Sequence, residues 1–308
     1  MKTKQTMFGL LMALSSIISL QAQDNDEKPY LTKTFPMTGL TNVKAETSGG
    51  NLSVQGQTTG EARIEVYVRS SNWNDKLSDA EIKNRLKDYE ITINKDASTL
   101  TATARSLNKM WNWKNGLSIS FRIYAPANVT TNLQTSGGNI KLTNLNGRQN
   151  AETSGGNISI ASLKGVADVE TSGGNIEVEN FDGTLDAQTS GGNIKLEESK
   201  GSLKIGTSGG NIRIARVEGG LQAETSGGNI TADIVNLGKF LTLSTSGGNI
   251  NIKMPMDKGM DLDLSGDKVN ISMQNFKGSL KDDRVKGTLN GGGIPVRIST
   301  SGGNVRVN

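Results

Sequence analysis

The chain repeats one short stretch many times, and a copy from its middle reads Thr153-Ser154-Gly155-Gly156-Asn157-Ile158-Ser159-Ile160. We call Thr-Ser-Gly-Gly-Asn the corner motif. Its copies begin at Thr47, Thr135, Thr153, Thr171, Thr189, Thr207, Thr225, Thr245 and Thr300. From Thr135 to Thr225 the interval is always 18 residues, and the next interval is 20. A fixed period of this length predicts a repeat architecture.

Each repeat contains two short hydrophobic alternations and two turns. After the Asn come two aliphatic residues separated by one position, as in Ile176 and Val178. This alternation is typical of a strand with one buried face. A further glycine follows twelve residues after the Thr and predicts a second turn, at Gly147, Gly165, Gly183, Gly201 and Gly219. A second alternation, such as Leu185 and Ala187, leads back to the next corner motif.

The repeat predicts an all-β fold, a β-solenoid with coils of about 18 residues. Such a unit cannot bury its own apolar face, so it must stack on copies of itself, about 4.8 Å apart. A left-handed hexapeptide helix would need an aliphatic residue six positions after the repeat Ile. That position holds Asn146, Lys164, Asp182, Lys200 and Glu218, which excludes it. A meander of hairpins remains the alternative.

The corner motif itself favours a structural role. Its two glycines would allow a positive φ in a tight turn, and its Thr and Ser hydroxyls would bond turn backbone groups. Stacked Asn side chains would form ladders between coils. A calcium repeat would need carboxylates where this chain has Asn, and a phosphate loop would need a helix after the glycines. We therefore predict no metal site and no cofactor.

The segment before the array is less regular. Residues 40–54 already resemble one coil, and about 80 residues intervene before the array starts. They contain four predicted strands, at 63–68, 90–93, 99–104 and 117–123. Ser78-Asp79-Ala80-Glu81 is a capping box that predicts a short helix over roughly 79–88. We expect residues 23–134 to cap the solenoid and residues 135–308 to form its repeats, degenerate after about 253.

Composition excludes several classes of function. The 308 residues include neither Cys nor His, which rules out disulfides, cysteine zinc sites and histidine-based catalysis. Lys and Arg exceed Asp and Glu by four, but without a basic cluster, so we predict no nucleic-acid binding. Aromatic residues make up only 4% of the chain, whereas glycine occurs 38 times. Glycine and small side chains must therefore do much of the packing.

The first 22 residues predict an export signal. Lys2 and Lys4 precede an apolar run from Met7 to Leu20, and Ala22 precedes a polar stretch. This order is typical of a secretory signal peptide cleaved after Ala22. No later stretch reaches the length of a membrane-spanning helix, so we do not expect an integral membrane protein. The predicted location is the periplasm, the cell surface or the extracellular medium.

The repeats and the strand that precedes them resemble the adhesin-like β-solenoid domains of exported bacterial envelope proteins. The corner motif and the segment Ile119-Ser120-Phe121-Arg122-Ile123-Tyr124-Ala125-Pro126 carry the resemblance. It covers roughly residues 30–308. The resemblance implies a family of unknown function without established catalytic residues. Asn stands here where Asp is frequent in the family.

Two tryptophans are the candidate ligand contacts. Trp111 and Trp113, flanked by Lys109 and Lys114, lie between two predicted strands, in a hairpin loop or at a strand end. Paired aromatic rings stack on sugar rings, and the lysines would attract an anionic polysaccharide. The alternative is that both rings cover the end of the solenoid. Trp73 is a weaker candidate.

Charged residues occupy one recurring position, at Lys141, Glu177, Lys195 and Arg213. Stacking would place Glu177 beside Lys195, and cross-coil ion pairs on a solvated face follow from that. A polysaccharide-acting enzyme would instead use such carboxylates, Glu177 and Glu179, in a cleft. The tight repeats leave no inserted loops to wall such a cleft.

These observations predict a non-enzymatic, exported, adhesin-like binding or scaffold protein that displays ladders of Thr, Asn and charge. The expected partner is a glycan or envelope polymer. The alternatives are a structural or accessory partner of an envelope protein and, third, the β-helix enzyme.

The chain reaches Asn308 inside a repeat, so we expect an exposed pairing edge, blunted by Arg297 and Arg306, and end-to-end self-association.

Overall fold

The computed structural model describes residues 28–72, 75–107 and 116–308. These residues form one β-solenoid with a single short α-helix. The strands of the N-terminal part are β1 Leu31–Phe35, β2 Asn42–Thr47, β3 Leu52–Gln57, β4 Ala62–Ser70, β5 Tyr89–Asp96, β6 Thr99–Ser106, β7 Leu117–Pro126 and β8 Thr130–Thr135. Helix α1 spans Asp79–Arg85 and continues as a 3₁₀ turn over Leu86–Asp88. Ser78 and Glu81 form the predicted capping box.

The remaining strands form the array and its C-terminal end. Those of the array are β9 Ile140–Thr153, β10 Ile158–Thr171, β11 Ile176–Thr189, β12 Ile194–Glu197, β13 Lys200–Thr207, β14 Ile212–Thr225, β15 Ile230–Thr245 and β16 Ile250–Lys253. Those that follow are β17 Met260–Ser265, β18 Lys268–Ile271, β19 Phe276–Leu280, β20 Arg284–Leu289, β21 Ile294–Thr300 and β22 Asn304–Val307.

Successive coils of the array stack in parallel and in register. Each residue of β10 lies beside the residue 18 positions later in β11, and the same offset relates β9 to β10. The 20-residue interval is absorbed by register shifts between β14 and β15. Parallel pairing excludes the hairpin meander and confirms the predicted solenoid. The two alternations of a repeat are joined as one bent strand of 14 residues in most coils.

The Thr of each corner motif is buried inside the solenoid. Thr171 Oγ1 donates to the carbonyl of Gly156 in the preceding coil at 2.8 Å and accepts from the N–H of Gly174 at 3.2 Å. Equivalent bonds recur at Thr153, Thr189, Thr207 and Thr225. The threonines therefore tie neighbouring coils together. The expectation that they form a displayed ladder was wrong, because their hydroxyls bond backbone groups that would otherwise be buried without a partner.

The corner Asn forms an exposed ladder of a specific kind. The N–H of Asn175 donates to Oδ1 of Asn157 at 2.7 Å, and the same bond recurs along the array. The predicted asparagine ladder is thus confirmed, with the backbone N–H as its main donor.

The glycines of the repeat are required for two different reasons. The second glycine of the corner motif does not have a positive φ, contrary to our expectation. A Cβ on Gly174 would instead lie 1.9 Å from the carbonyl oxygen of Gly156. The later glycine of the repeat does have a positive φ, 148° at Gly183. There a side chain would be strained as well as crowded.

The core is a column of aliphatic residues along the solenoid axis. In the coil of β10, Ile158, Ile160, Leu163 and Val169 are all at most 1% exposed. Buried and outward residues alternate in the two arms of each coil, and the alternation is interrupted at the second turn between them. The coil-to-coil repetition of this pattern keeps the outward positions in straight columns.

The N-terminal end of the solenoid is closed by antiparallel strands. The coil of β2 and β3 stacks directly on the coil of β8 and β9. On the outer side of this coil, β6 pairs with β2 and β7 pairs with β3. In turn β5 pairs with β6, and β4 with β7, both antiparallel. The predicted strands and helix of this segment are all present.

The C-terminal end differs from our expectation. Strand β21 lies between β15 and β17, and β22 lies between β16 and β18. The last corner motif therefore stacks directly on the one at Thr245, and the degenerate coil of β17 and β18 lies outside it. Arg297 and Arg306 belong to strands that are paired on both sides. The premise that they border an exposed edge was wrong, and the antiparallel pair β19–β20 covers β17.

Candidate functional site

Two concave surfaces stand out on the described residues. The first, which we call the second-turn groove, runs along the second turn of each repeat, opposite in the repeat to the corner motif, and encloses about 730 Å³. The second, which we call the arginine–tyrosine surface, encloses about 360 Å³ near the N-terminal end. Its lining consists of Asn51, Leu52, Ser53, Gln55, Tyr67, Arg69, Ser120, Phe121, Arg122, Tyr124, Asn139, Lys141 and Thr143.

The second-turn groove carries charges of both signs that pair with each other. Arg216 Nη2 lies 2.7 Å from Glu198 Oε1, and Lys200 Nζ lies 3.4 Å from Asp182 Oδ2. The hydrogen bond to Glu198 raises the pKa of Arg216. Because in-register stacking puts each charge beside its counterpart in the next coil, these side chains satisfy one another. The groove therefore offers a ligand little net charge.

The predicted charge column on the sheet is also internally paired. Lys195 Nζ lies 2.9 Å from Glu177 Oε1 and 3.0 Å from Glu197 Oε2, which confirms the predicted neighbours. The hydrogen bonds from Lys195 to Glu177 and then to Glu197 raise the pKa of this lysine. Lys195 is therefore held in its charged form and is a poor general base.

The arginine–tyrosine surface lies on the outward face of four adjacent strands, β4, β7, β3 and β9. Their register places Glu65 of β4 opposite Arg122 of β7, which is opposite Ser53 of β3. Ser53 in turn is opposite Lys141 of β9. Strand alternation turns all these residues outward, because the residues between them fill the core. The irregular segment thus extends one solenoid face and adds new side chains to it.

Two guanidinium groups stack on two tyrosine rings at this surface. Arg63 Cζ lies 4.1 Å from the centroid of the Tyr124 ring, and Arg122 Cζ lies 5.2 Å from that of Tyr67. Both distances are in the range of cation–π attraction. The stacks restrict the rotamers of all four side chains, so the surface is ordered before any ligand arrives.

A single carboxylate, Glu65, organises the base of this surface. The Tyr67 hydroxyl donates to Glu65 Oε2 at 2.9 Å, and Arg63 Nε lies 2.9 Å from Glu65 Oε1 without the angle of a hydrogen bond. Burial, together with the bond to Glu65, raises the pKa of Tyr67 to about 12. The phenol therefore stays neutral and acts as a donor at any physiological pH.

Cationic side chains line the arginine–tyrosine surface, and one carboxylate lies at its base. Arg69, Arg122 and Lys141 line the cavity, and Glu65 is opposite Arg122 in the register of β4 and β7. Ser53, Gln55 and Thr143 add hydroxyl and amide groups to the lining.

The site predicted from the sequence falls outside the described part of the chain. Trp111, Trp113, Lys109 and Lys114, as well as Trp73 and the predicted signal peptide, lie outside the described residues. The flanking strands β6 and β7 pair with β2 and β3 and not with each other. The Gly116 carbonyl accepts from the Ser71 N–H at 2.9 Å, which places Gly116 beside the end of β4.

Sequence reasoning missed the arginine–tyrosine surface, although a signal was present. The outward positions of β4 read Arg63, Glu65, Tyr67, Arg69, and those of β7 include Arg122 and Tyr124. Each strand alone looks like an ordinary half-exposed strand. Only the pairing of β4 with β7 brings the two polar faces together.

No metal centre or membrane span is evident in the part of the chain that the structure describes. It contains no group of three or more acidic side chains placed to bind a metal ion. None of its helices has the length and apolar character needed to cross a bilayer.

Comparison with known proteins gives a family match for part of the chain. Residues 198–308 match the family model described as Toastrack DUF4097, a domain of unknown function with a β-solenoid-like fold. The match covers β13 to β22, the end of the array and the closing strands. No curated protein sequence matches the chain.

Two solved structures are similar over nearly the whole chain. One, from Clostridium sporogenes ATCC 15579, is described as a "putative cell adhesion protein" and is 14% identical, covering 91% of this chain and 99% of that one, with a TM-score of 0.27. The other, from Bacteroides fragilis NCTC 9343, is described as a "putative adhesin" and is 14% identical, covering 90% and 96%, with a TM-score of 0.44. Neither TM-score reaches 0.5, so neither likeness supports an argument about this chain.

Proposed function

We propose that this chain is a non-enzymatic, exported β-solenoid that serves as an adhesin-like binding scaffold of the bacterial cell envelope. The observation that carries the proposal is the in-register stack, which fixes outward side chains in straight columns. A stack of this kind presents the same position again about every 4.8 Å, so weak contacts with a repeating polymer add up. The proposed mature chain begins at residue 23.

The pairing of surface charges argues against the β-helix enzyme. Glu177 and Glu197 both contact Lys195, so these carboxylates take part in surface ion pairs. The side chain of Glu177 is 56% exposed, whereas a catalytic acid needs a pocket that tunes its pKa. A scaffold needs only the ordered surface that these pairs provide.

The proposed partner is a glycan or another envelope polymer. Trp111 and Trp113, with Lys109 and Lys114, remain proposed contacts. The arginine–tyrosine surface supplies a second, described region with aromatic rings and positive charge. The tryptophan segment and most of the lining of this surface belong to the residues before the array, and we propose this end as the specific end of the scaffold.

A binding and turnover screen tests this proposal. The protein, purified after export, is applied to an immobilised panel of acidic and neutral glycans, peptidoglycan and lipopolysaccharide, and the same polymers are assayed for cleavage. We expect retention on at least one polymer, without cleavage. Lys195→Gln in the array should change retention less than two-fold, because contacts are spread over many coils.

The outcomes separate the three candidate functions. Cleavage of a polymer that is lost in Glu177→Gln or Glu179→Gln would establish the enzyme instead. Retention on no polymer, together with co-purification of one envelope protein, would establish the accessory role. Loss of retention in the double variant Trp111→Ala/Trp113→Ala would assign the contact to the tryptophans.

A further inference from the structure

Strand β19 forms an open edge at the C-terminal end of the solenoid. It pairs with β20 on one side, and no strand of the described residues pairs with its other side. Four of its five residues are exposed. Its Leu280, at 62% exposure, is the most exposed large hydrophobic side chain of the described residues. We propose that β19 pairs with β19 of a second copy of the chain, antiparallel, about a two-fold axis at Gly278.

The hairpin of β19 and β20 shows which backbone groups face the open edge. Lys281 and Arg284 exchange two hydrogen bonds at the end of the hairpin, at 2.9 and 3.3 Å. In an antiparallel ladder, such doubly bonded pairs alternate with pairs that are not bonded to each other. The N–H and C=O groups of every second residue of β19 therefore face outward, at Phe276, Gly278 and Leu280.

Two of the other edge strands are partly occupied by the chain itself. At the same end, the N–H of Val269 in β18 donates to the Asp282 carbonyl at 2.7 Å. At the N-terminal end, Lys33 Nζ donates to the Ile93 carbonyl of β5 at 3.3 Å. A lysine at a sheet edge is a common protection against edge-to-edge pairing. Within the described residues, no such bond reaches the outward groups of β19, which leaves this edge available to another strand.

The charges of β19 favour one register for two copies. Outward-facing residues must meet outward-facing residues, so only every second register is possible. With Gly278 opposite Gly278 of the second copy, Lys277 is opposite Ser279, and Lys281 is opposite Asn275. The next register in either direction would place Lys277 opposite the second copy's Lys277 or Lys281. Like charges directly opposite each other destabilise a sheet, which favours the register centred on Gly278.

The same register brings the apolar ends of the two strands together. Leu280 is opposite Phe276 of the second copy, and strand alternation puts both side chains on one face of the joined sheet. The Phe276 ring lies over two glycines, since a Cβ on Gly278 or Gly287 would be 2.9 or 2.8 Å from its Cζ. The ring also packs against the core, so it offers Leu280 of the second copy an ordered apolar surface. Directly opposite side chains of this kind stabilise antiparallel sheets.

This pairing joins two rods at their C-terminal ends. Strand β19 lies at the opposite end of the stack from β1 and β5, so the N-terminal ends of the two copies point away from each other. One pair of short strands buries little surface, and small interfaces are typical of transient complexes. We therefore expect a weak dimer, with a dissociation constant of about 10–100 µM. The inference goes beyond the proposed scaffold function and does not depend on its ligand.

Sedimentation velocity of the purified protein, at concentrations from well below to well above this dissociation constant, tests the dimer. We expect a monomer–dimer equilibrium without larger species, because a two-fold contact uses the open edge of both copies. Ser279→Lys puts a lysine opposite Lys277 of the second copy at two symmetric points, and it should weaken the dimer at least ten-fold. Adding Lys277→Glu replaces both repulsions by opposite charges and should restore the affinity to within about three-fold of wild type.

Thr32→Lys is the matched control. It adds the same charge at an exposed position of β1, an edge strand at the other end of the solenoid. The dissociation constant should stay within about two-fold of wild type, because β1 is not part of the contact. Urea unfolding of each variant, with a midpoint close to wild type, verifies that the fold is intact.

Disulfide cross-linking tests the register directly, because the chain contains no cysteine. Lys277 and Ser279 of the second copy form a pair without mutual hydrogen bonds, with Cα atoms about 4.5 Å apart, within reach of a disulfide. Diagonal neighbours, such as the two copies of Lys277, are about 7–8 Å apart. A mixture of Lys277→Cys and Ser279→Cys proteins should therefore form the mixed disulfide, identified by its mass, at least five-fold faster than either variant forms its own.

Three results would overturn the proposal. A wild-type protein that stays monomeric at the highest concentration excludes the dimer. Loss of the dimer in Thr32→Lys but not in Ser279→Lys moves the contact to the N-terminal end. Faster cross-linking within one cysteine variant than between the two refutes the register centred on Gly278. None of these measurements involves an envelope polymer, so a failure of the scaffold function would leave them unchanged.

Discussion

The two ends of the solenoid are closed in the same way from opposite directions along the chain. At the N-terminal end, the corner motif at Thr47 stacks on the one at Thr135, and the chain between them folds outward as a cap. At the C-terminal end, the motif at Thr300 stacks on the one at Thr245, and the intervening chain again folds outward. In both places well-preserved motifs lie next to each other, although they are 88 and 55 residues apart.

The ends differ in the order in which their strands join. At the N-terminal end, β2 and β3 come first in the chain and the array grows on them. At the C-terminal end, β21 and β22 enter a slot between two coils that precede them in the chain. The corner motif, more than proximity in sequence, therefore determines which coils are neighbours.

Deleting residues 294–308 should have the largest effect on the C-terminal end. It leaves β15, β16, β17 and β18 with facing edges whose N–H and C=O groups have lost their partners. We expect loss of the cooperative transition in urea and aggregation on gel filtration. A truncated protein that stays monomeric with the wild-type midpoint would show that the slot closes by itself.

Matched glycine substitutions test whether the two closures are equally tight. A Cβ on Gly138 would lie 1.8 Å from the Gly50 oxygen, and one on Gly303 would lie 2.2 Å from the Gly248 oxygen. Changing either glycine to Ala should destabilise the fold by more than about 4 kcal/mol or prevent folding, because backbone must move.

The neighbouring glycines are the controls in urea unfolding. Nothing lies closer than 3.9 Å to a Cβ on Gly137, or closer than 3.5 Å on Gly302. Gly137→Ala and Gly302→Ala should change the free energy of unfolding by about 1 kcal/mol or less. Similar losses in both members of either pair would refute the argument from close approach.

Threonine-to-valine changes at the two closures should have an intermediate effect. Thr135 Oγ1 donates to the Gly50 carbonyl at 2.9 Å, and Thr300 Oγ1 donates to the Gly248 carbonyl at 2.7 Å. Valine keeps the shape but leaves a buried carbonyl without this donor, at a cost of about 1–3 kcal/mol. Chemical denaturation should give similar values for both variants. Ser136→Ala and Ser301→Ala, at exposed positions, should remain close to wild type.

The smallest effect is expected for an ion pair of the array between the two ends. Lys195→Gln removes the contacts to Glu177 and Glu197 and should cost about 0–1 kcal/mol, because the side chain is 42% exposed. The pKa of Lys195 is raised in the folded state. Its contribution is therefore complete below the unfolded-state pKa of about 10.4 and declines as the pH rises above it. The difference in unfolding free energy between wild type and variant should shrink in 1 M salt; a large, salt-independent cost would contradict a surface pair.

The sequence predicted the coil, its period, its inward positions and the Glu177–Lys195 pair. It could do so because each coil of a repeat stacks on a copy of itself, and the period then fixes which residues are neighbours. It did not predict the insertion of β21 and β22, because the alternation within a strand says nothing about which distant strand lies beside it. The contrast between the degenerate copy at Leu264-Ser265-Gly266-Asp267 and the intact copy at Thr300 indicated this pairing, since intact copies stack on intact copies. The arginine–tyrosine surface was missed for the same reason: it depends on the antiparallel pairing of β4 with β7.

The late insertion of β21 and β22 also has a consequence for how the chain is made. In a chain that ends before residue 294, the slot between the coils of β16 and β18 stays open. A chain released early displays two facing strand edges, which invite proteolysis and aggregation. Only a chain that includes β21 and β22 can pair those edges, so the fold distinguishes a full-length chain from one that stops before them.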